Sequence, residues 1–265
     1  MGDATRILQF ADVHFGVEDR EALAAMKDVE DRFDPHLVLV CGDVTQTGSK
    51  EEYEAAADWL AGFRTPVVAT PGNHDAPYYQ PVARVFDPYG RFEDYIAPHC
   101  EERFTDARVC VLTYNSSRAI QAKLDWSVGV VNLDELEETI AEFRREGEGR
   151  LKLLGLHHPL VYPPESPLDK ETDNGPEALD RLSDAGVDAV LSGHIHIPFV
   201  KEREPGATGI VSIGAGTLST RRRGVEPSFN LVEVDDGGLK VTAVNVVNGA
   251  YERQATWTKP MEAFA

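Results

Sequence analysis

The run Leu37-Val38-Leu39-Val40-Cys41 is wholly apolar, with no polar face to turn toward water. A strand of that kind is buried on both faces, which is the position of an interior strand in a parallel sheet covered by helices. Its neighbours in sequence fit the same frame. Arg6–Ala11 is a shorter apolar run and reads as a first strand. Between the two, Glu18–Phe33 spaces Leu23, Met26, Val29 and Phe33 along one face of a helix. After the run, Ser49 through Gly62 reads as a second helix, with Ser49 as N-cap and Glu52 completing a capping box. Val67-Val68-Ala69 then opens a third strand. A β-α-β-α-β order calls for a parallel sheet with crossover helices, and its functional loops leave the carboxyl ends of the strands.

The remaining chain extends this pattern. Val109–Tyr114, Leu151–Leu156 and Ala189–Ser192 read as strands, and Asn132–Glu146 and Pro176–Ala185 as amphipathic helices. Runs at Gly209–Ile213, Phe229–Val234 and Leu239–Val247, with a hairpin signal at Asp236-Gly237-Gly238, predict a second, mostly antiparallel sheet. Residues 1–250 read as one domain and 251–265 as a C-terminal tail. The aromatic segment 76–108 and the segment 115–131 are either satellites of the core or a cap over a site, since long ordered loops are often functional.

Composition narrows the function classes. The chain has 265 residues and a formal net charge of -19, which disfavours a broad surface for long nucleic acid, where phosphate contacts dominate. No run is long enough to span a bilayer, and the start shows no secretory pattern. Cys41, Cys100 and Cys110 are too few and scattered for a disulfide framework or a cysteine zinc site. These features predict a cytoplasmic protein, and an acidic surface is compatible with a homodimer.

Five strand exits carry metal-type side chains: Asp12-Val13-His14, Gly42-Asp43, Asn73-His74-Asp75, His157-His158-Pro159 and Gly193-His194-Ile195-His196. Singly, several have ordinary readings: Gly42-Asp43 is a common turn, and Asp12 could be a helix cap. At five exits of one sheet system they describe one assembled site, with His36 and His99 left as surface residues. Imidazole and carboxylate together suit Zn, Fe or Mn better than Ca or Mg. The ligand candidates exceed the three or four of a mononuclear zinc site, so two ions sharing a bridging Asp are expected. Ions roughly 3.5–4 Å apart serve in-line displacement at phosphorus, one generating hydroxide and both steadying the developing charge.

In this order and from Arg6 to about Asp235, these blocks resemble the calcineurin-like metallophosphoesterase superfamily. The resemblance implies a four-layer α-β-β-α sandwich of two mixed sheets and a dinuclear centre of Mn, Fe or Zn. It places one ion on Asp12, His14, Asp43 and His196, and the other on Asp43, Asn73, His157 and His194, with Asp43 bridging. It gives His74 the task of protonating the leaving oxygen or stabilising the phosphoryl transition state, with Asp75 orienting His74.

Gly42-Asp43-Val44-Thr45-Gln46 lacks the Asp-Arg-Gly ending of the Ser/Thr protein phosphatases. The His-His-Pro block and Gly214-Ala215-Gly216-Thr217 look most like bacterial class III cyclic-nucleotide phosphodiesterases and glycerophosphodiesterases. A small phosphodiester is therefore the expected substrate. A phosphomonoesterase acting on nucleotides or sugar phosphates is the alternative, ahead of a DNA-repair nuclease or a metal-free scaffold. Arg221-Arg222-Arg223 is the one basic triplet, either a solvated turn or a contact to substrate phosphate.

Overall fold

The computed structural model describes residues 4–118, 125–146, 149–168, 170–203 and 209–264. Its strands are β1 (Thr5–Phe10), β2 (Leu37–Cys41), β3 (Val67–Thr70), β4 (Phe104–Thr105), β5 (Val109–Thr113) and β6 (Leu151–Gly155). They continue with β7 (Ala189–Ser192), β8 (Phe199–Glu202), β9 (Val211–Gly214), β10 (Ser228–Asp235), β11 (Gly238–Val247) and β12 (Ala250–Pro260). They form two six-stranded sheets, ordered β12-β11-β10-β1-β2-β3 and β4-β5-β6-β7-β9-β8. The expected parallel pairings β1–β2 and β2–β3 are present, as are β5–β6, β6–β7 and β7–β9.

Strand alternation divides the core into three layers. On β1 and β2, Ile7, Leu37, Leu39 and Cys41 turn inward and meet Val111, Leu153 and Leu191 of the opposing sheet. The intervening Leu8, Phe10, Val38 and Val40 turn outward onto Met26, Val29, Tyr53, Ala56 and Leu60 of the first helical segments. On the far side, Cys110, Leu112, Leu154 and Val190 pack on Leu136, Ile140 and Phe143 of helix Leu133–Arg145 and on Leu182 of helix Gly175–Asp184. Fully burying one such side chain contributes roughly 1.5–3 kcal/mol. Helix, sheet, sheet and helix thus stack as the four expected layers, and the carboxyl ends of the parallel strands share one edge.

The structure departs from the sequence expectation at three places. The C-terminal strands do not make a sheet of their own: β10 pairs antiparallel with β1 and extends the first sheet, whereas β9 joins the second. Residues 251–260 are not a tail but most of β12, an edge strand paired along β11. The single helix expected over Glu18–Phe33 is broken into Arg20–Ala25, a 3-10 turn at Met26–Asp28, and Val29–Phe33. The capping box at Ser49 and Glu52 is formed as the sequence indicates. Segment 76–108 is split in character: Tyr89, Phe92, Tyr95 and Ile96 pack on the core, while Tyr78, Tyr79, Val82 and Phe86 are exposed. Part of segment 115–131, residues 119–124, lies outside the described residues. Among the described residues no helix is long and apolar enough to cross a membrane.

Candidate dinuclear metal centre

All seven expected ligand residues converge at the shared sheet edge, and all are buried. The loops that deliver them are bent in an unusual way. Asp12, His14, Asp43, His194 and His196 all adopt positive φ, between 50° and 70°. That left-handed region disfavours residues with a Cβ, at roughly 1–2 kcal/mol each, and such conformations cluster at functional sites. Glycines make room beside them. A Cβ at Gly42 would lie 2.7 Å from His157 Nδ1, and one at Gly193 would lie 2.6 Å from Asp12 Oδ2. The approach is close enough that only hydrogen fits.

Backbone carbonyls fix the imidazoles. His14 Nδ1 lies 3.3 Å from Thr45 O, His157 Nδ1 2.9 Å from Cys41 O, and His196 Nδ1 2.8 Å from Arg221 O. A carbonyl can only accept, so each Nδ1 carries a proton and each Nε2 is turned toward the centre. There, His14 Nε2 lies 3.3 Å from His196 Nε2 and 3.7 Å from both Asp12 Oδ1 and Asp43 Oδ2. His157 Nε2 lies 3.3 Å from Asp43 Oδ2 and 3.2 Å from Asn73 Oδ1. Asp12 Oδ1 is buried and accepts no hydrogen bond among the described residues, although His196 Nε2 is 3.1 Å away. Around Asp12, His14 and His196, acceptor atoms face one another in a buried site, an arrangement that a cation between them would satisfy. The donors are imidazole nitrogen, carboxylate oxygen and one amide oxygen, which fit Zn, Fe or Mn. Asp12, His14 and His196 bring ligand atoms within 4.8 Å of one another, and so do Asp12, Asp43 and His157. Asp43 Oδ2 faces the Nε2 atoms of both His14 and His157, one from each expected ligand set, which suits a bridging carboxylate.

Electrostatics prepare these groups unequally. Burial, with help from His74 and His196, holds His14 down to about 3, so its Nε2 is unprotonated at neutral pH. Burial and the neighbouring imidazoles also push His194 well below the ordinary range. His157 goes the other way: burial opposes its charge, but Asp43 and Asp12 outweigh it and raise the ring to about 9. A metal entering that position displaces a proton.

The expected accessory residues separate. His74 sits beside the centre, its ring 4.9 Å from that of His14 and perpendicular to it. Asp75 does not orient it. The Asp75 carboxylate instead accepts from Thr45 N at 2.9 Å, Thr45 Oγ1 at 2.8 Å and Gly72 N at 2.8 Å, tying together the loops that follow β2 and β3. What holds the His74 ring is Gln46 O, 2.7 Å from its Nδ1. Successive side chains leave the chain in divergent directions, so adjacency in sequence is a poor guide here. Of the arginine triplet, Arg221 reaches the site, with its Nη1 2.9 Å from His74 Nε2. Arg222 points away and is paired with Asp19 and Glu226. Arg223 is half-buried and close enough to Asp12 and Tyr162 to feel their charge.

His158 belongs to this neighbourhood too, although the sequence reading leaves it without a role. It is fully buried, its Nδ1 lies 3.0 Å from Ser116 Oγ, and its ring packs 4.5 Å from that of His194. Its Nε2 has no hydrogen-bond partner among the described residues, and with His157 and His194 it forms a third close group of ligand-type atoms. The doubled histidine is the signal that could have found it.

Comparison with known proteins agrees with this geometry. Over 254 residues, covering 89% of this chain and 91% of the relative, the sequence is 27% identical to a "probable cyclic nucleotide phosphodiesterase" of Synechococcus sp.. It is 28% identical over 204 residues, 72% of this chain and 69% of the relative, to a 3',5'-cyclic adenosine monophosphate phosphodiesterase of Escherichia coli. A dimetal phosphatase from Danio rerio superposes with a TM-score of 0.67 at 13% identity, covering 98% of this chain and 99% of that one, a likeness that shows the fold alone. Residues 5–198 match the profile described as calcineurin-like phosphoesterase. The chain therefore belongs to the calcineurin-like phosphoesterase family, and is a dinuclear metal-dependent phosphoester hydrolase.

Proposed function

We propose that the protein is a phosphodiesterase acting on a small diester, a cyclic nucleotide or a glycerophosphodiester. The observation that carries the reading is the meeting of Nε2 atoms from His14, His157 and His196 with the carboxylates of Asp12 and Asp43 in one buried pocket. Asp12, His14, Asp43 and His196 would hold one divalent ion, and Asp43, Asn73, His157 and His194 the other. Two such ions supply a Lewis acid for the phosphoryl oxygen and an activated nucleophile. The two relatives named for cyclic-nucleotide hydrolysis support a diester over a monoester.

The chain's own residues do the rest. Asp43 is fixed by the His74 backbone N–H, which donates to its Oδ1 at 2.8 Å, so the bridging carboxylate and the accessory histidine are placed by one contact. His74 Nδ1 is held by Gln46 O, which leaves Nε2 as the ring atom that can act on the leaving oxygen. A cavity of about 1120 Å³, lined in part by Val128, Tyr162, Pro163 and Thr172, offers room for the organic part of an ester. Its Tyr162 ring is 6.3 Å from that of His194.

The test is turnover of bis(p-nitrophenyl) phosphate against p-nitrophenyl phosphate by metal-stripped protein re-supplied with Mn, Fe, Zn or Mg. Metal-dependent diester cleavage, lost in Asp43→Ala and strongly reduced in His74→Ala, is expected. Faster monoester than diester turnover with every metal would replace this reading by the phosphomonoesterase.

A further inference from the structure

We infer that Arg221 is the substrate-phosphate clamp of this site, resting against the accessory histidine whose reactive nitrogen it covers. The inference rests on the phosphoester reading above and names a residue that reading does not need. Arg221 Nη1 lies 2.9 Å from His74 Nε2 and 3.3 Å from Gln46 Oε1, beside the candidate ligand nitrogen His14 Nε2 at 3.3 Å. A guanidinium nitrogen only donates, so His74 Nε2 must be the acceptor. His74 Nδ1 accordingly carries the ring proton toward Gln46 O. In this arrangement His74 Nε2 is unavailable to a leaving group until the guanidinium moves off it. A phosphate lying over the ligand cluster offers the guanidinium a charged, bidentate partner in place of a neutral ring nitrogen, and such partners are the stronger ones.

The segment carrying Arg221 is built to hold it there. Thr217 Oγ1 donates to Asp12 O at 2.6 Å, Thr220 N donates to Val17 O at 2.9 Å, and Arg221 N donates to Ser219 Oγ at 3.2 Å. The Arg221 carbonyl accepts from the ligand His196 at Nδ1. Main chain and side chain therefore do separate jobs: the carbonyl orients a metal ligand, and the guanidinium faces the substrate side. Local positive charge also has a purpose in a chain of net charge -19 that must admit an anion. Arg222, occupied by Asp19 and Glu226 on the surface, cannot supply it.

Because the carbonyl survives any side-chain replacement, the two jobs can be separated by experiment. Mn-loaded wild type, Arg221→Ala, Arg221→Lys and Arg222→Ala would be compared for metal content, melting temperature, bis(p-nitrophenyl) phosphate kinetics, and binding of inorganic phosphate by calorimetry. Arg221→Ala should retain wild-type metal content while its KM for the diester and its Kd for phosphate each rise about 10- to 100-fold, the weight of a hydrogen bond to a charged group. Arg221→Lys should recover only part, lacking the planar fork, and Arg222→Ala should match wild type. Phosphate affinity and KM unchanged within about twofold in Arg221→Ala would overturn the inference, and so would an equal loss in Arg222→Ala or a defect that added metal abolishes. A wild-type protein that binds phosphate through Arg221 but cleaves no diester would defeat the phosphodiesterase reading alone.

Discussion

Gly72→Ala is the sharpest single test of how this centre is built. Gly72 does not need a left-handed conformation; it needs to be small. A Cβ there would lie 2.1 Å from Asp43 Oδ1 and 2.4 Å from Asp43 N, where ordinary contact begins at 3.4 Å. The backbone nitrogen cannot yield alone, so closing the gap between 2.4 and 3.4 Å moves the Asp43 carboxylate and its loop by about 1 Å. That carboxylate is held by His74 N at 2.8 Å and faces His157 Nε2 at 3.3 Å, and both relations would be lost. Overpacking of this size costs about 1–3 kcal/mol of stability. Disturbed positioning of a ligand costs about 10- to 100-fold in metal affinity, and a displacement of about 1 Å can cost about 10²-fold in rate. The assay is metal content after dialysis against a buffered Mn concentration, followed by diesterase kinetics, with Gly186→Ala as control. Gly186 has φ +74° and, among the described residues, nothing within 4 Å of where a Cβ would stand, so that variant strains the backbone without touching the site. The reasoning fails if Gly72→Ala holds two ions and turns over as wild type does, or if Gly186→Ala loses metal equally.

Other expectations follow from the same contacts. Asp75→Asn places an amide NH2 among donors from Gly72 and Thr45, and should cost about 1–3 kcal/mol in chemical denaturation; an unchanged midpoint would show that Asp75 does not tie the two loops. Ser116→Ala removes the hydroxyl that bonds both Nδ1 and the backbone N–H of His158, with an expected loss of about 1–2 kcal/mol, or several degrees in Tm. In chelator-treated protein, His157 is raised to about 9 from an ordinary 6.5 by Asp43 and Asp12 against burial. A raised histidine stabilises the fold fully below pH 6.5 and progressively less as pH climbs through about 9, so the metal-free protein should lose about 3 kcal/mol across that window. His14, held near 3 by burial, titrates in the unfolded chain around 6.5 and adds only a small rise at the bottom of the window, while Asp75, raised to about 7 by burial and Asp43, loses its proton there and adds to the fall. A flat stability profile between pH 6.5 and 9 would contradict the His157–Asp43 pairing.

Much of this architecture is legible in the residues, for reasons that can be named. Strands buried on both faces have no polar alternation to blur them, so Leu37–Cys41 and Ala189–Ser192 coincide with β2 and β7. β12 is hidden because an edge strand turns most of its residues to water. Along Ala250–Pro260, Tyr251 is half-buried against Phe33 and Phe229, while most of its neighbours stay exposed, so no apolar alternation develops. The assignment of β9 and β10 to different sheets is equally hidden, since an apolar run shows that a strand exists and not which partner it takes. The candidate ligand residues are readable because each follows a buried strand. Arg221 cannot be told from Arg222 and Arg223 for the opposite reason: three adjacent cations differ only in the direction they point, which the anchoring of Thr217 and Ser219 decides. The nearness of Asp75 to His74 in sequence likewise says nothing about where its carboxylate goes.

The left-handed backbone at Asp12, His14, Asp43, His194 and His196 has a consequence for how long the protein survives. Each of these residues sits in a conformation that its Cβ opposes, and bound ions favour the folded form by mass action. When metal is scarce, the loops bearing these residues become the least stable part of an otherwise well-packed sandwich, and local opening there exposes cleavable chain. Proteolytic lifetime should therefore follow the metal supply, with the first cuts falling in the loops after β1, β2 and β7 rather than at the edge strand β12.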